Sequence, residues 1–497
     1  METTVKTRYG LVKGTEQEGA LCFLGIPFAK APVGELRFRR PRPCEPWEGV
    51  LDCTSYGHYC PQVGVPMVAD KHMTPSEDCL NLNIYTPAAD GGKRPVVLFI
   101  HGGAYVTGSA ADALAVYDRL SGESDIVFVS CHYRLGPLGN IDFSSLSGAG
   151  DRFDVNCGTW DQLAALDWVI ENISAFGGDP EEITLSGVSA GATAVMTLIA
   201  SPYVKGKVKR VCMESLCPFL PLTRENGRAA ALEVIGRLGI REEEAYKVAD
   251  LPAEELVKAV NDLEHQYMDI RPYTVPAGPV VDGDLVPELP FDALLKGAAD
   301  GVDFLLGTTR DEASLFATGM KDMDVLPVKE EQVDRYYRDN PAADKEKQLS
   351  LYPKYPSFRS FQHLGKEIFF HSGVMALAEG LSRRGNDVYL YHFEWSPLLL
   401  KMFTLGAMHG LTNAMLSGKK NGLMVLFSGP KGRRVTSILQ KHWISFYRTG
   451  DVNEGTEEWK SYGEEKNTFC ISDRPVLKQD PFRKEEEAFR GTRPYGQ

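Results

Sequence analysis

Between residues 95 and 191 the chain alternates short apolar runs with one helical pattern. Pro95-Val96-Val97-Leu98-Phe99-Ile100, Asp125-Ile126-Val127-Phe128-Val129-Ser130 and Glu182-Ile183-Thr184-Leu185-Ser186 are continuous rather than alternating. Such runs suit strands buried on both faces of a largely parallel sheet. Over 159–170 the apolar residues recur at helical spacing, and Gly177-Gly178-Asp179-Pro180 breaks the chain after them. The pattern predicts a β-α-β unit. Further strands are predicted over 303–307 and 387–393, and a helix with an apolar face over 435–446. Segments 222–270 and 318–385 are richer in charge and helix formers, as expected of helical insertions that cover a sheet. Beyond Asp480 the chain is charged and expected at the periphery. No repeat of fixed period and no long Gly/Ser or Pro-rich linker interrupts the chain, so 1–497 reads as one large α/β domain with excursions.

Composition narrows the function classes. The chain has 497 residues, 43% hydrophobic and 24% charged, with 48 Gly and 30 Pro, an ordinary globular balance. A chain of this size buries roughly three quarters of its unfolded surface, so it needs no disulfide framework or metal to fold. Lys and Arg total 54 against 67 Asp and Glu, a net charge of −13 that repels phosphate backbones and anionic lipid. Nucleic acid is not an expected partner. The start, Met1 to Arg8, lacks the apolar stretch of a signal peptide, and no run approaches the ~18 apolar residues of a membrane span. A cytoplasmic protein is expected. Ten cysteines without paired C-x-x-C spacing give no support to a zinc site and are read as reduced.

Gly187-Val188-Ser189-Ala190-Gly191 matches G-x-S-x-G, whose glycines permit a cramped strand-to-helix turn that presents the serine. With 27 serines and 48 glycines, composition alone supplies about 0.25 such matches. Context carries the signal: an apolar strand run lies just before Ser189 and a helical pattern just after it. The serine is thereby expected at a helix amino terminus, where backbone amides favour developing negative charge. His101-Gly102-Gly103-Ala104 follows the 95–100 run directly. Small residues there let backbone N–H groups approach a substrate oxygen, so the amides of Gly103, Ala104 and Ala190 are the expected oxyanion donors.

A serine hydroxyl needs a base, and the base needs an acid that fixes its tautomer. In this fold type the chain order is serine, acid, histidine. Asp311 and Glu312, just past the 303–307 strand, are the candidate acids. Of the downstream histidines His363, His371, His392, His409 and His442, His392 lies in a strand pattern and His371 and His442 in helical patterns, where structural roles are expected. His409 stands in the loop Gly406-Ala407-Met408-His409-Gly410, from which a base reaches across the top of a sheet. Tyr105, Phe219, Phe316 and Trp395 are candidates either for a gorge wall or for the core.

With these motifs the chain resembles the type-B carboxylesterase family, which includes para-nitrobenzyl esterases, cholinesterases and the non-catalytic neuroligins. The resemblance also runs through Phe23-Leu24-Gly25-Ile26-Pro27-Phe28-Ala29, Ser76-Glu77-Asp78-Cys79-Leu80-Asn81-Leu82-Asn83, Tyr133-Arg134-Leu135-Gly136 and Phe176-Gly177-Gly178-Asp179-Pro180. It implies the α/β-hydrolase fold, no cofactor, and a triad of Ser189, Glu312 and His409, with Glu312 rather than Asp311 as the acid. It implies structural ion pairs Arg37–Glu77 and Arg134–Asp161, and it matches Cys60 and Cys79 to a disulfide of secreted relatives that is not expected without a secretory signal. Three departures stand out. Val188 replaces the glutamate common before the serine, which disfavours cationic choline esters; Thr412 replaces a frequent glutamate; and Ala104 replaces a third glycine and narrows the space beside the scissile carbon. The expected activity is hydrolysis of a small-molecule carboxylic ester through an acyl-enzyme. An amidase with the same triad and a non-catalytic neuroligin-like binding protein are the alternatives.

Overall fold

The computed structural model describes residues 3–64, 70–112, 117–319, 324–417, 428–454 and 458–494. Its frame is a thirteen-stranded sheet. The centre is parallel, in spatial order Val127–Cys131, Arg94–Ile100, Gly178–Val188, Arg210–Glu214, Asp303–Thr309, Val388–Phe393 and Asn467–Ile471. Antiparallel strands flank both edges, Asn81–Thr86 on one side and Val476–Gln479 on the other. This is the large, mostly parallel sheet of an α/β-hydrolase.

The continuous apolar runs have their physical reason here. Along Arg94–Ile100, Val96, Leu98 and Ile100 enter the core on one side of the sheet, with Leu163, Leu166 and Val195 of the helices Cys157–Asn172 and Ala190–Ala200. Val97 and Phe99 enter the core on the other side, with Leu439, Trp443 and Phe446 of the helix Gly429–Thr449. Both faces are covered, so neither can be polar.

Element boundaries differ from the sequence pattern where tertiary pairing or a left-handed residue decides them. The 182–186 run begins earlier, at Gly178, because Gly178 pairs with Arg94 through a register shift. The 125–130 run starts at Val127, because Asp125 takes φ 53 to end the helix Asp118–Ser124. The 435–446 helix is longer, from Gly429 to Thr449, and closes on Gly450 at φ 82. The charged tail is docked rather than loose: helix Arg483–Phe489 buries Ala488 and Phe489, and Phe482 packs edge-on against His371 and His392.

Within 222–270 the chain forms helices Arg224–Arg237 and Ala253–Ile270; within 318–385 it forms Glu330–Asp339, Lys345–Ser350, Phe358–Lys366 and Ser372–Arg383, with 320–323 outside the described residues. Arg37 pairs with Glu77 at 2.6 Å, and the fully buried Arg134 with Asp161 at 2.7 Å. All ten cysteines are free thiols, including Cys60 and Cys79, whose side chains lie in hydrogen-bond contact. Among the described residues no helix is long and apolar enough to cross a membrane, and no group of three His, Cys, Asp or Glu is placed to hold a metal ion.

Candidate active site

Ser189 sits between the strand Gly178–Val188 and the helix Ala190–Ala200 with φ 62 and ψ −128, a left-handed conformation that a serine adopts only under constraint. The constraint is close packing. A Cβ on Gly187 would lie 2.5 Å from the Gly191 backbone, and one on Gly191 would lie 2.1 Å from the Ile100 carbonyl oxygen. The two glycines of the motif are thus contact points of strand and helix, and the Ser189 N–H donates to the Glu214 carbonyl of the neighbouring strand at 2.9 Å.

Glu312 opens the short helix Glu312–Leu315 just past the strand Asp303–Thr309 and is wholly buried. One carboxylate oxygen accepts the Thr309 N–H at 2.6 Å; the other lies 2.5 Å from Nδ1 of His409. The imidazole is 7% exposed and wedged between Phe316 and Phe370, each with its ring centroid 4.9 Å away. Asp311 does something else. It pairs with Arg310 at 2.6 Å, accepts the Ala407 N–H at 2.7 Å, and its own N–H donates to the Ala407 carbonyl at 3.0 Å. Those bonds tie down the loop that carries His409.

Nε2 of His409 is buried and makes no hydrogen bond with any described residue. Ser189 and His409 line one cavity of about 650 Å³. The Ser189 hydroxyl lies against the Cys217 thiol, which burial holds well above the usual thiol range and therefore protonated. Gly102, Gly103 and Ala104 border the same cavity, with φ 107 at Gly103 and φ 52 at Ala104. The N–H groups of Gly103, Ala104 and Ala190 donate to no described acceptor.

The sequence missed part of the wall. Phe369 and Phe370 line the cavity with Phe316, whereas Tyr105 and Trp395 belong to the core and Phe219 packs against Phe291 beside a separate hollow. Cys217 was also missed. No local pattern marks it: it follows the strand Arg210–Glu214, which becomes the neighbour of the strand Gly178–Val188 only in the assembled sheet. The other histidines are held structurally or lie elsewhere. His371 and His392 meet Thr308, and His442 meets the Val452 carbonyl, while His363 borders a surface hollow. Beside the loop His101–Ala104, burial brings His101 down to about 4, so its ring is neutral near pH 7.

Comparison with known proteins adds an independent finding. The profile of the Carboxylesterase family matches residues 1–489. The chain is 35% identical over 483 residues to a para-nitrobenzyl esterase of Bacillus subtilis, covering 96% of each. It is 33% identical over 463 residues to a phenmedipham hydrolase of Pseudarthrobacter oxydans, covering 90% of each. Among solved structures, a PNB esterase superposes with TM-score 0.86 at 32% identity, over 98% of this chain and 100% of that one. A carboxylesterase of Geobacillus stearothermophilus superposes with TM-score 0.85 at 34% identity, over 98% and 100%.

Proposed function

This chain belongs to the carboxylesterase family and is a type-B carboxylic ester hydrolase; on that premise we propose that it works through Ser189, His409 and Glu312 by way of an acyl-enzyme. Nε2 of His409 takes the Ser189 proton as the hydroxyl attacks the ester carbonyl. Glu312 fixes the tautomer that leaves Nε2 free to accept and stabilises the imidazolium that forms. The amides of Gly103, Ala104 and Ala190 hold the oxyanion, each of such donors being worth about a hundred- to a thousandfold in rate. His409 then protonates the leaving alcohol and activates the water that frees Ser189. For the first step the Ser189 hydroxyl turns from Cys217 toward Nε2. No cofactor takes part in these steps.

The observation that carries this reading is the pairing of Nδ1 of His409 with buried Glu312 at 2.5 Å, with Nε2 left unbonded in the cavity that Ser189 also lines. The substrate class proposed is small-molecule carboxylic esters, for which para-nitrobenzyl and para-nitrophenyl esters are convenient probes. Residues 1–497 act as one unit in this reading, with 222–270 and 318–385 supplying cover. Ser189→Ala should abolish turnover of a para-nitrophenyl ester and labelling by a fluorophosphonate, with unchanged circular dichroism. Retained turnover in the folded variant would require another nucleophile.

A further inference from the structure

The cavity that holds Ser189 and His409 is mostly apolar, with Leu220, Val275, Leu326 and Phe369 among its walls. No Lys or Arg is among its described lining residues, yet two carboxylates besides Glu312 are near the substrate space: Asp112 and Glu264 lie on its wall. Asp112 has a partner within the protein. Glu264 has neither hydrogen bond nor ion pair with a described residue, and burial alone pushes its carboxyl up to about 7.

Its position is not that of a surface charge. Helix Ala253–Ile270 buries Leu256, Val260, Leu263 and Tyr267, and Glu264 stands four residues after Val260 and three before Tyr267, on the packed face. The other acids of the helix behave ordinarily: Glu254 and Glu255 are exposed in its first turn, Asp262 is bonded to Lys258, and Asp269 accepts from the Gln332 side-chain amide at 2.7 Å. Glu264 is half-buried and lines the cavity. An uncompensated carboxylate in an apolar wall costs stability unless a partner arrives. A cation supplied by the ligand would be such a partner, and it would find no competing positive charge on the described wall.

We propose that Glu264 is the counter-ion for a protonated amine carried on the ester substrate, away from the scissile carbonyl. This rests on the ester-hydrolase reading above and deepens it. Val188 removes the carboxylate that the resemblance places before the serine, and the covering helix brings another from a different direction. The chemical class is therefore an aminoalkyl ester, with the amine on the alcohol or on the acyl chain.

The test uses the full chain and two isosteric pairs. One pair is the dimethylaminoethyl and isopentyl esters of a single acid. The other is the ethyl esters of dimethylaminobutanoic acid and of its branched hydrocarbon isostere. In at least one pair kcat/KM should favour the ammonium ester about tenfold, and Glu264→Gln should bring the ratio to about one. Equal rates within both pairs, or a preference that survives in Glu264→Gln, would overturn the proposal. Calorimetric binding of the same esters to Ser189→Ala reads the preference without turnover, with the same two outcomes. Hydrolysis of the neutral esters by the unaltered chain, lost in Ser189→Ala, shows that the esterase reading stands even where the amine preference fails. Absence of hydrolysis with a preference in binding shows the reverse.

Discussion

Asp311 and Glu312 are neighbours in sequence and differ in burial, and burial separates what they do. Glu312 has one oxygen on the Thr309 N–H and the other on His409, so its amide analogue would present an N–H to Nδ1 or lose the backbone bond. Glu312→Gln should lower kcat about a thousand- to ten-thousandfold, measured on a para-nitrophenyl ester. Asp311→Asn keeps Glu312 in place and should cost about tenfold or less, chiefly by loosening the loop held at Ala407. Glu214 offers a pH test. It is buried beneath Ser189, with the Trp443 indole N–H donating to it at 3.3 Å, and burial pushes it up to about 8. Between the ordinary glutamate range and that value the folded state holds a proton that the unfolded chain releases. Stability from this group is therefore full in mild acid and is lost as pH rises toward 8. Urea midpoints should fall between about pH 5 and about pH 8, and Glu214→Gln should flatten that slope.

At the scale of elements, the strand–turn–helix around Ser189 depends on how closely Ala190–Ala200 approaches the strand Arg94–Ile100. Gly191→Ala places a methyl group against the Ile100 carbonyl at a 2.1 Å separation, so strand and helix must part. The expected cost is about 1–3 kcal/mol of stability from overpacking and about a hundredfold in kcat from displacement of Ser189 and the Ala190 N–H. Thermal midpoint and kcat read the two effects separately. The Arg134–Asp161 pair ties the loop after the strand Val127–Cys131 to the helix Cys157–Asn172: Asp161 accepts from the Arg134 backbone N–H and, at two oxygens, from its guanidinium. Buried pairs of this kind hold a loop in one geometry, and they are costly to break from one side.

For the whole molecule, the groups proposed for catalysis follow the carboxyl ends of several parallel strands, while the covering helices supply the far wall. Glu264 comes from the helix Ala253–Ile270 and Val275 from the segment that follows it, while Val325, Leu326, Phe369 and Phe370 all fall within 318–385. A cavity of about 650 Å³ walled in this way has the size of a drug-sized molecule and too little room for a stretch of polypeptide many residues long. Para-nitrophenyl esters should be turned over while casein releases no acid-soluble peptide; proteolysis by the purified chain would contradict the role given to the cover.

The central strands, the serine turn with its two glycines, the loop His101–Ala104 and the resemblance to carboxylesterases were legible in sequence, because each is a local pattern: a continuous apolar run, or small residues where backbones must meet. The choice between Asp311 and Glu312 was not local, and sequence made it only through resemblance. In the fold Glu312 is the carboxylate buried against the imidazole while Asp311 accepts the Ala407 N–H, and that contrast supports the proposed choice of Glu312. Glu264, Cys217, Phe369 and Phe370 had no sequence signal of their own. Cys217 reaches the cavity from the end of the strand Arg210–Glu214, and Glu264, Phe369 and Phe370 reach it because separate excursions fold back over one end of the sheet; the meeting of distant segments is decided by packing, which no single stretch of chain encodes.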